Sequence, residues 1–272
     1  MIQNKVFLVA IILLLSFSDP AFADQLGDAH AALDRKDYVT ALRLLEPLAN
    51  QGNPSAQTFL GDMYYNGQGV PIDYGKALLW RQKAASQGDP EGQRLLARMY
   101  HLGQGVGQDD VEALKWLHMS IDQGDEIAMS TLSAMYALGK GVPKDIVEEV
   151  KWLRKAADYG DTIAPPELAH IYFYGDVGVP RDYAEAAKWD RKTIEQSNIA
   201  PFYRSDAQEQ LGEIYAKGEG VAQDYVQAYM WFNLASASGD KFASSSRDLL
   251  ASKMTPEQIA EAQKLAREWK PK

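Results

Sequence analysis

The chain contains no cysteine. That excludes disulfides, a lipid-modified cysteine and any thiolate metal site. Histidine is scarce: His30, His101, His118 and His170 stand apart, with no H-x-x-x-H or H-E-x-x-H spacing, so no local motif builds a metal site. No G-x-S-x-G occurs to suggest an acyl-enzyme nucleophile. Positive charge is in deficit, 28 Lys and Arg against 37 Asp and Glu, a net −9 that argues against nucleic acid and against docking on anionic lipid.

Long apolar runs are also missing, with one exception. Lys5 precedes Val6 to Leu15, and Ala21-Phe22-Ala23 follows: a positive start, a short apolar stretch and a small-residue cleavage site. Residues 1–23 therefore read as a secretory signal peptide. The alternative is a membrane anchor, but a span needs roughly 20 apolar residues, and Ser16, Ser18, Asp19 and Pro20 interrupt this one. No later segment is expected to insert in a membrane. The expected location is exported, periplasmic or secreted, with a mature chain that relies on packing alone.

What is abundant is repetition. Leu60-Gly61-Asp62-Met63-Tyr64-Tyr65-Asn66-Gly67-Gln68-Gly69-Val70 is followed by Asp73, Ala77, Trp80 and Gly88, and this pattern returns four more times. Tyr64 recurs as Tyr100, Tyr136, Tyr172 and Tyr215; Trp80 recurs as Trp116, Trp152, Trp189 and Trp231. The Trp intervals are 36, 36, 37 and 42 residues. Such a period marks a stacked array of supersecondary units. Five full units are expected at 53–88, 89–124, 125–160, 161–204 and 205–239, after an abbreviated unit at 24–52.

Each unit reads as two helices. Ala56, Leu60 and Tyr64 share one face of helix A, and Gly61 (Ala97, Ser133, Ala169, Gly212 later) stays small so that a neighbouring backbone can approach. Gly67 and Gly69 allow positive φ in the connecting loop, and Val70 is expected to tuck under it. Asp73, Asp109, Asp145, Asp182 and Asp224 start helix B as N-caps, with Glu112, Glu148, Glu185 and Gln227 placed for capping boxes. Helix B buries Ala77 and Trp80, and Gly88, Gly124, Gly160 and Gly239 end it. In the fourth unit Pro165-Pro166 predict a helix that starts late or bends. Residues 198–204 are an insertion, read as a lengthened surface turn. Residues 240–272 abandon the motif; Thr255-Pro256-Glu257-Gln258 starts a last helix, and the segment reads as a C-terminal cap.

Those residues resemble the Sel1-like repeat family, α/α solenoids related to tetratricopeptide repeats, over roughly 53–239. The family's pattern stands almost intact from Ala56 to Gly88; Glu149 in place of the Ala77-type residue and Ser197 in place of the closing glycine are local departures. The resemblance implies an all-α, right-handed superhelical solenoid that acts as a scaffold or adaptor for other proteins. A factor that binds peptidoglycan or regulates an envelope enzyme is the alternative, and a β-lactamase-like enzyme a more distant one. No cofactor, metal or catalytic residue is expected, and capped ends favour a monomer.

In tetratricopeptide-like solenoids the A helices line a concave groove. Positions off the packing face then point into it: Thr58, Asp62 and Tyr65, then Arg94, Arg98 and His101, then His170 and Phe173, then Glu209 and Glu213. They vary while the packing positions repeat, and they include aromatics and arginines, which protein recognition favours. The expected ligand is a protein or an extended peptide with an acidic group toward Arg94 and Arg98.

Overall fold

The structure is a computed structural model that describes residues 20–271, with side chains from Gln25 onward. The leader expected over 1–23 lies, up to residue 19, outside the described residues. Among the described residues there are fourteen helices and no strand: α1 Pro20–Asp34, α2 Tyr38–Asn50, α3 Pro54–Asn66, α4 Tyr74–Ser86, α5 Pro90–Leu102, α6 Asp110–Ile121, α7 Glu126–Leu138, α8 Ile146–Tyr159, α9 Ala164–Tyr174, α10 Tyr183–Glu195, α11 Pro201–Lys217, α12 Tyr225–Ala237, α13 Lys241–Ala251 and α14 Pro256–Glu268. The chain divides into two compact units, one ending at Ala128 and one starting at Met129, within the first turn of α7. None of the described helices is long and apolar enough to cross a membrane.

In the first unit each helix packs on the next along the chain, α1 on α2, α2 on α3, α3 on α4, and so on to α6. Its core is aliphatic and small: Ala29, Ala32, Ala41, Leu45, Leu48, Ala56, Leu60 and Met63 are buried together, with Tyr64, Val70 and Trp80 half-buried against them. Trp80, Trp116 and Trp152 are only half-buried, whereas Trp189 and Trp231 in the second unit are buried. The second unit has two clusters. One gathers Phe173, Ala186, Ile194, Leu211, Ile214, Met230 and Trp231. The other joins Ala228, Phe232, Ala243, Leu250 and Ala262. Helix α14 returns onto α12, bringing Trp269 to 5.9 Å from Trp231, edge to face. The start of α14 has the expected reciprocal box between Thr255 and Gln258.

The loops between paired helices share one clamp. Asp73, Asp109, Asp145, Asp182 and Asp224 each cap helix B through the side chain. Each also donates its backbone N–H to the carbonyl of the tyrosine nine or ten residues earlier: Tyr64, Tyr100, Tyr136, Tyr172 and Tyr215, at 2.8–3.1 Å. This occupies the donor that a capping box would use. The expected boxes at Glu112, Glu148 and Glu185 are therefore replaced by ion pairs one turn on, to Lys115, Lys151 and Lys188. Gly67 and Gly69 take φ +69° and +75°, which only glycine adopts without strain.

The fourth unit differs where its spacing does. The additional residue between Tyr172 and Asp182 is absorbed by a tight turn, Asp176 and Val179 exchanging two backbone hydrogen bonds, with Val179 buried. Pro165 and Pro166 sit in the first turn of α9, where proline is tolerated, and the helix starts late. The insertion is not the surface turn that the sequence suggests. Its residues from Pro201 onward lengthen α11 to 17 residues, Ile199 is buried, and Arg204 donates to the Gln196 carbonyl at 2.6 Å.

The small position on helix A is tightest at Gly212, where a Cβ would meet the Phe232 ring at 2.6 Å. Gly212→Ala should cost about 1–3 kcal/mol through overpacking, read as a lower urea midpoint. A Gly212→Ala/Phe232→Leu double variant should recover part of the loss.

Candidate interaction surface

The ten positions expected to line a groove fall into four groups. Thr58 and Phe173 are corrections: they are only 1% and 7% exposed and cannot meet a partner. Phe173 packs edge to face on Tyr183 at 5.3 Å within the core of the second unit. Thr58 is buried because its hydroxyl donates to Asp89 Oδ2 at 2.7 Å, and Asp89 is the residue that caps α5.

That contact recurs and explains a second group. Arg94, one repeat later, donates from Nε to Asp125 Oδ2 at 2.9 Å, and Ser130 donates to Asp161 Oδ2 at 2.8 Å. Asp125 and Asp161 in turn accept the N–H groups of Ala128 and Ala164 at the following helix starts. A polar side chain of α3, α5 and α7 thus staples the N-cap of the next helix A. Arg94 also pairs with Glu91 at 3.1 Å, so its guanidinium is committed within the fold. In the fourth unit the equivalent Pro166 has no donor, and α11 begins after Ala200 with no side-chain cap. The staple is interrupted where the insertion lies.

Asp62, Tyr65, Arg98 and His101 belong to a seam inside the first unit. Arg81, 2% exposed, donates from Nη2 to Asp62 at 2.5 Å and lays its guanidinium 4.3 Å from the Tyr65 ring. The Tyr65 hydroxyl donates to Gln104, and Arg98, exposed, stands 5.8 Å from the same ring. His101 Nδ1 is 2.6 Å from Asp110 Oδ1. Beneath the seam, Gln57 donates to the Ala49 carbonyl and accepts from Gln87, and Gln93 repeats this with Ala85 and Gln123.

The second unit presents the opposite situation. His170 is exposed and lies against Tyr174, ring centroids 4.6 Å apart and tilted by 50°. Tyr174 is 56% exposed and faces Asp206, Glu209 and Glu213, spaced along one side of α11; burial and those three carboxylates push its hydroxyl pKa up. Burial raises the Asp206 carboxyl, and burial with Asp240, Asp206 and Glu213 raises Glu209 to about 7. Glu213 pairs with Lys217 at 2.6 Å. Beyond this pair, Glu213, Lys217, Phe232, Phe242, Leu249 and Leu250 help line an open cavity of about 370 Å³. Phe242 and Leu249 keep 57% and 67% of their surface exposed. No group of His, Asp or Glu among the described residues is arranged to hold a metal ion.

Sequence reasoning passed over two charged side chains that the fold buries. The position after each repeat tryptophan is Arg81, Leu117, Leu153, Asp190 and Phe232, all buried. Against three apolar members, Arg81 and Asp190 are conspicuous, and that column could have found them. Asp190 makes no hydrogen bond through either carboxyl oxygen, and burial, with Asp206 nearby, raises its pKa strongly.

A buried arginine that loses its one carboxylate is left uncompensated. Asp62→Ala should therefore destabilise by about 3 kcal/mol, and adding Arg81→Met should restore most of it. Thermal unfolding of the single and double variants measures both.

The Sel1 repeat family model matches residues 25–53, 54–89, 90–125, 127–161, 167–198 and 205–240, most of the chain. No curated protein matches the chain. Among solved structures, a Sel1 repeat protein from Oxalobacter formigenes is 28% identical, with a TM-score of 0.67, over 89% of this chain and 98% of that one. The protective antigen c5321 of uropathogenic Escherichia coli, described as displaying an SLR fold, is 28% identical with a TM-score of 0.48, over 85% of this chain and 64% of that one. Immunity protein Pa5087 from Pseudomonas aeruginosa is 20% identical with a TM-score of 0.51, over 81% of this chain and 83% of that one. Repeated clamp, repeated staple and matched segments agree: the chain belongs to the Sel1 repeat family, all-α repeat solenoids that generally act in protein–protein interaction.

Proposed function

We propose that this chain is an exported, non-catalytic adaptor whose docking face lies in its second unit. The observation that supports this reading is the pairing of exposed apolar side chains with an acidic row on α11: Tyr174, Phe242 and Leu249 beside Asp206, Glu209 and Glu213, of which Glu213 alone has a lysine partner. Large exposed apolar groups rimmed by polar ones mark interaction sites. The partner that complements them is a protein segment with apolar side chains for the Phe242–Leu249 cavity and Lys or Arg toward α11. This differs from the charge expected from sequence: Arg94 is engaged by Asp125 and Glu91, while Arg98 stays exposed beside the Tyr65 ring. Export rests on Lys5, the Val6–Leu15 run and Ala21-Phe22-Ala23.

A photo-crosslinking residue at Phe242, in full-length protein expressed in its native host, should give a discrete protein adduct that Leu249→Glu abolishes. The same probe at Val177, 88% exposed on the loop before α10, should give none. Equal adducts at both positions, or insensitivity to Leu249→Glu, would contradict the docking face. N-terminal sequencing of the recovered protein should begin at Asp24; a start at Met1 would contradict export by cleavage.

A further inference from the structure

The staple between successive A helices demands a hydrogen-bond donor. Thr58, Arg94 and Ser130 supply one to Asp89, Asp125 and Asp161. In the fifth unit the equivalent residue is Glu209 and the receiving cap is Asp240, which accepts the Ala243 N–H at 2.9 Å to start α13. Two carboxylates cannot form this bond. One must keep a proton, and Asp240 is already accepting from the helix, so the proton falls to Glu209.

We propose that the Glu209–Asp240 contact is a proton-dependent latch that holds α13, and with it the Phe242–Leu249 surface, against α11. With the proton in place the carboxyl donates to Asp240 as Thr58 does to Asp89. When the proton leaves, two anions face each other, the staple becomes repulsive and the N-terminus of α13 loosens. This builds on the adaptor reading by placing its docking face under pH control, but the latch can be tested without any partner.

No Lys or Arg is among the groups that act on Glu209; on α13, Lys241 follows Asp240, and Arg247 is engaged by Asp248, Asn233 and Ser236. Asp206 and Glu213 on α11 add negative charge, and Lys217 is engaged by Glu213. From α9, Tyr174 faces the same carboxylates and His170 lies beside Asp206. From α10, Asp190 faces Asp206, and Arg191 donates to the Tyr215 hydroxyl. Helix α12 has no charged residue. Glu209 accordingly ionises near 7, against 4.5 for an ordinary glutamate, through burial first and its acidic neighbours next.

The direction follows by linkage. Between those two values the folded chain holds a proton that the unfolded chain has released, so stability is fullest below 4.5 and falls as the pH rises through about 7. Glu149, raised to about 7 by burial and Glu167, acts in the same window, and a Glu149→Gln background removes it.

Amide-exchange protection of α13, corrected for intrinsic rates and followed from pH 5.5 to 8 in the full chain, tests the latch. In Glu149→Gln protein, protection across α13 should fall on the order of tenfold, about one pKa unit of coupling after allowing for half exposure, while α3 stays flat. Adding Glu209→Gln, which donates without a proton, should leave α13 flat at its low-pH protection. Glu209→Thr, the residue of the first full unit, should do the same and covers the case in which the glutamine variant misfolds. An unchanged α13 in the background protein, or the same decline in both variants, would overturn the latch. The crosslink at Phe242 is scored separately, so its absence with an intact latch would count against the docking face alone.

Discussion

The structure depends on what an aspartate does at a helix start. A first helical turn leaves its N–H groups without intrahelical partners, and a side-chain carboxylate satisfies them. Here the capping aspartates have a second connection. Those that open the B helices pin their own backbone N–H to the tyrosine carbonyl of the preceding A helix, which sets the hairpin. Those at Asp89, Asp125 and Asp161 accept a side chain from the previous A helix, which joins neighbouring repeats. Small aliphatic cores then need only fill the space between helices whose starts are already tied.

This two-level tying explains where variation is allowed. The donor can be Thr, Arg or Ser because the acceptor asks only for an N–H or O–H group. It cannot be proline without losing the contact, and the fourth unit, with Pro166 and the uncapped Ala200, has the lengthened α11 instead. The glutamine relay of Gln57, Gln87, Gln93 and Gln123 belongs to the first unit; in the second, Met129 and Pro165 stand at two of its positions, and Gln208 at the third is buried with no donor to its side-chain oxygen. The two units thus share a repeat pattern but differ in how polar groups are satisfied between helices.

The period, the loop glycines, the B-helix caps and the Thr255–Gln258 start of the last helix were legible in the sequence because each is a local rule with a fixed spacing. The staple was not, because its donor and acceptor lie 31 residues apart and the donor changes identity at every repeat. Variability at Thr58, Arg94 and Glu209 therefore resembled a freely drifting or partner-selecting surface, when it is variation among residues that meet one acceptor. Phe173 was misplaced for a related reason: it lies beside the packing column on paper, and only the fold shows it enclosed with Ile194 and Leu211. Arg81 and Asp190 were legible in principle, as charges in an otherwise apolar column.

The central claim is that the Asp cap and the preceding A helix are energetically coupled across repeats. A double-mutant cycle on Thr58→Val and Asp89→Ala in equilibrium urea unfolding tests it most directly, since each single change removes the contact and the helix cap lost with Asp89→Ala cancels across the cycle. A coupling free energy of about 2 kcal/mol is expected, the net worth of one hydrogen bond to a charged acceptor. Strictly additive losses would mean that the contact is incidental and that aliphatic packing alone holds successive repeats together.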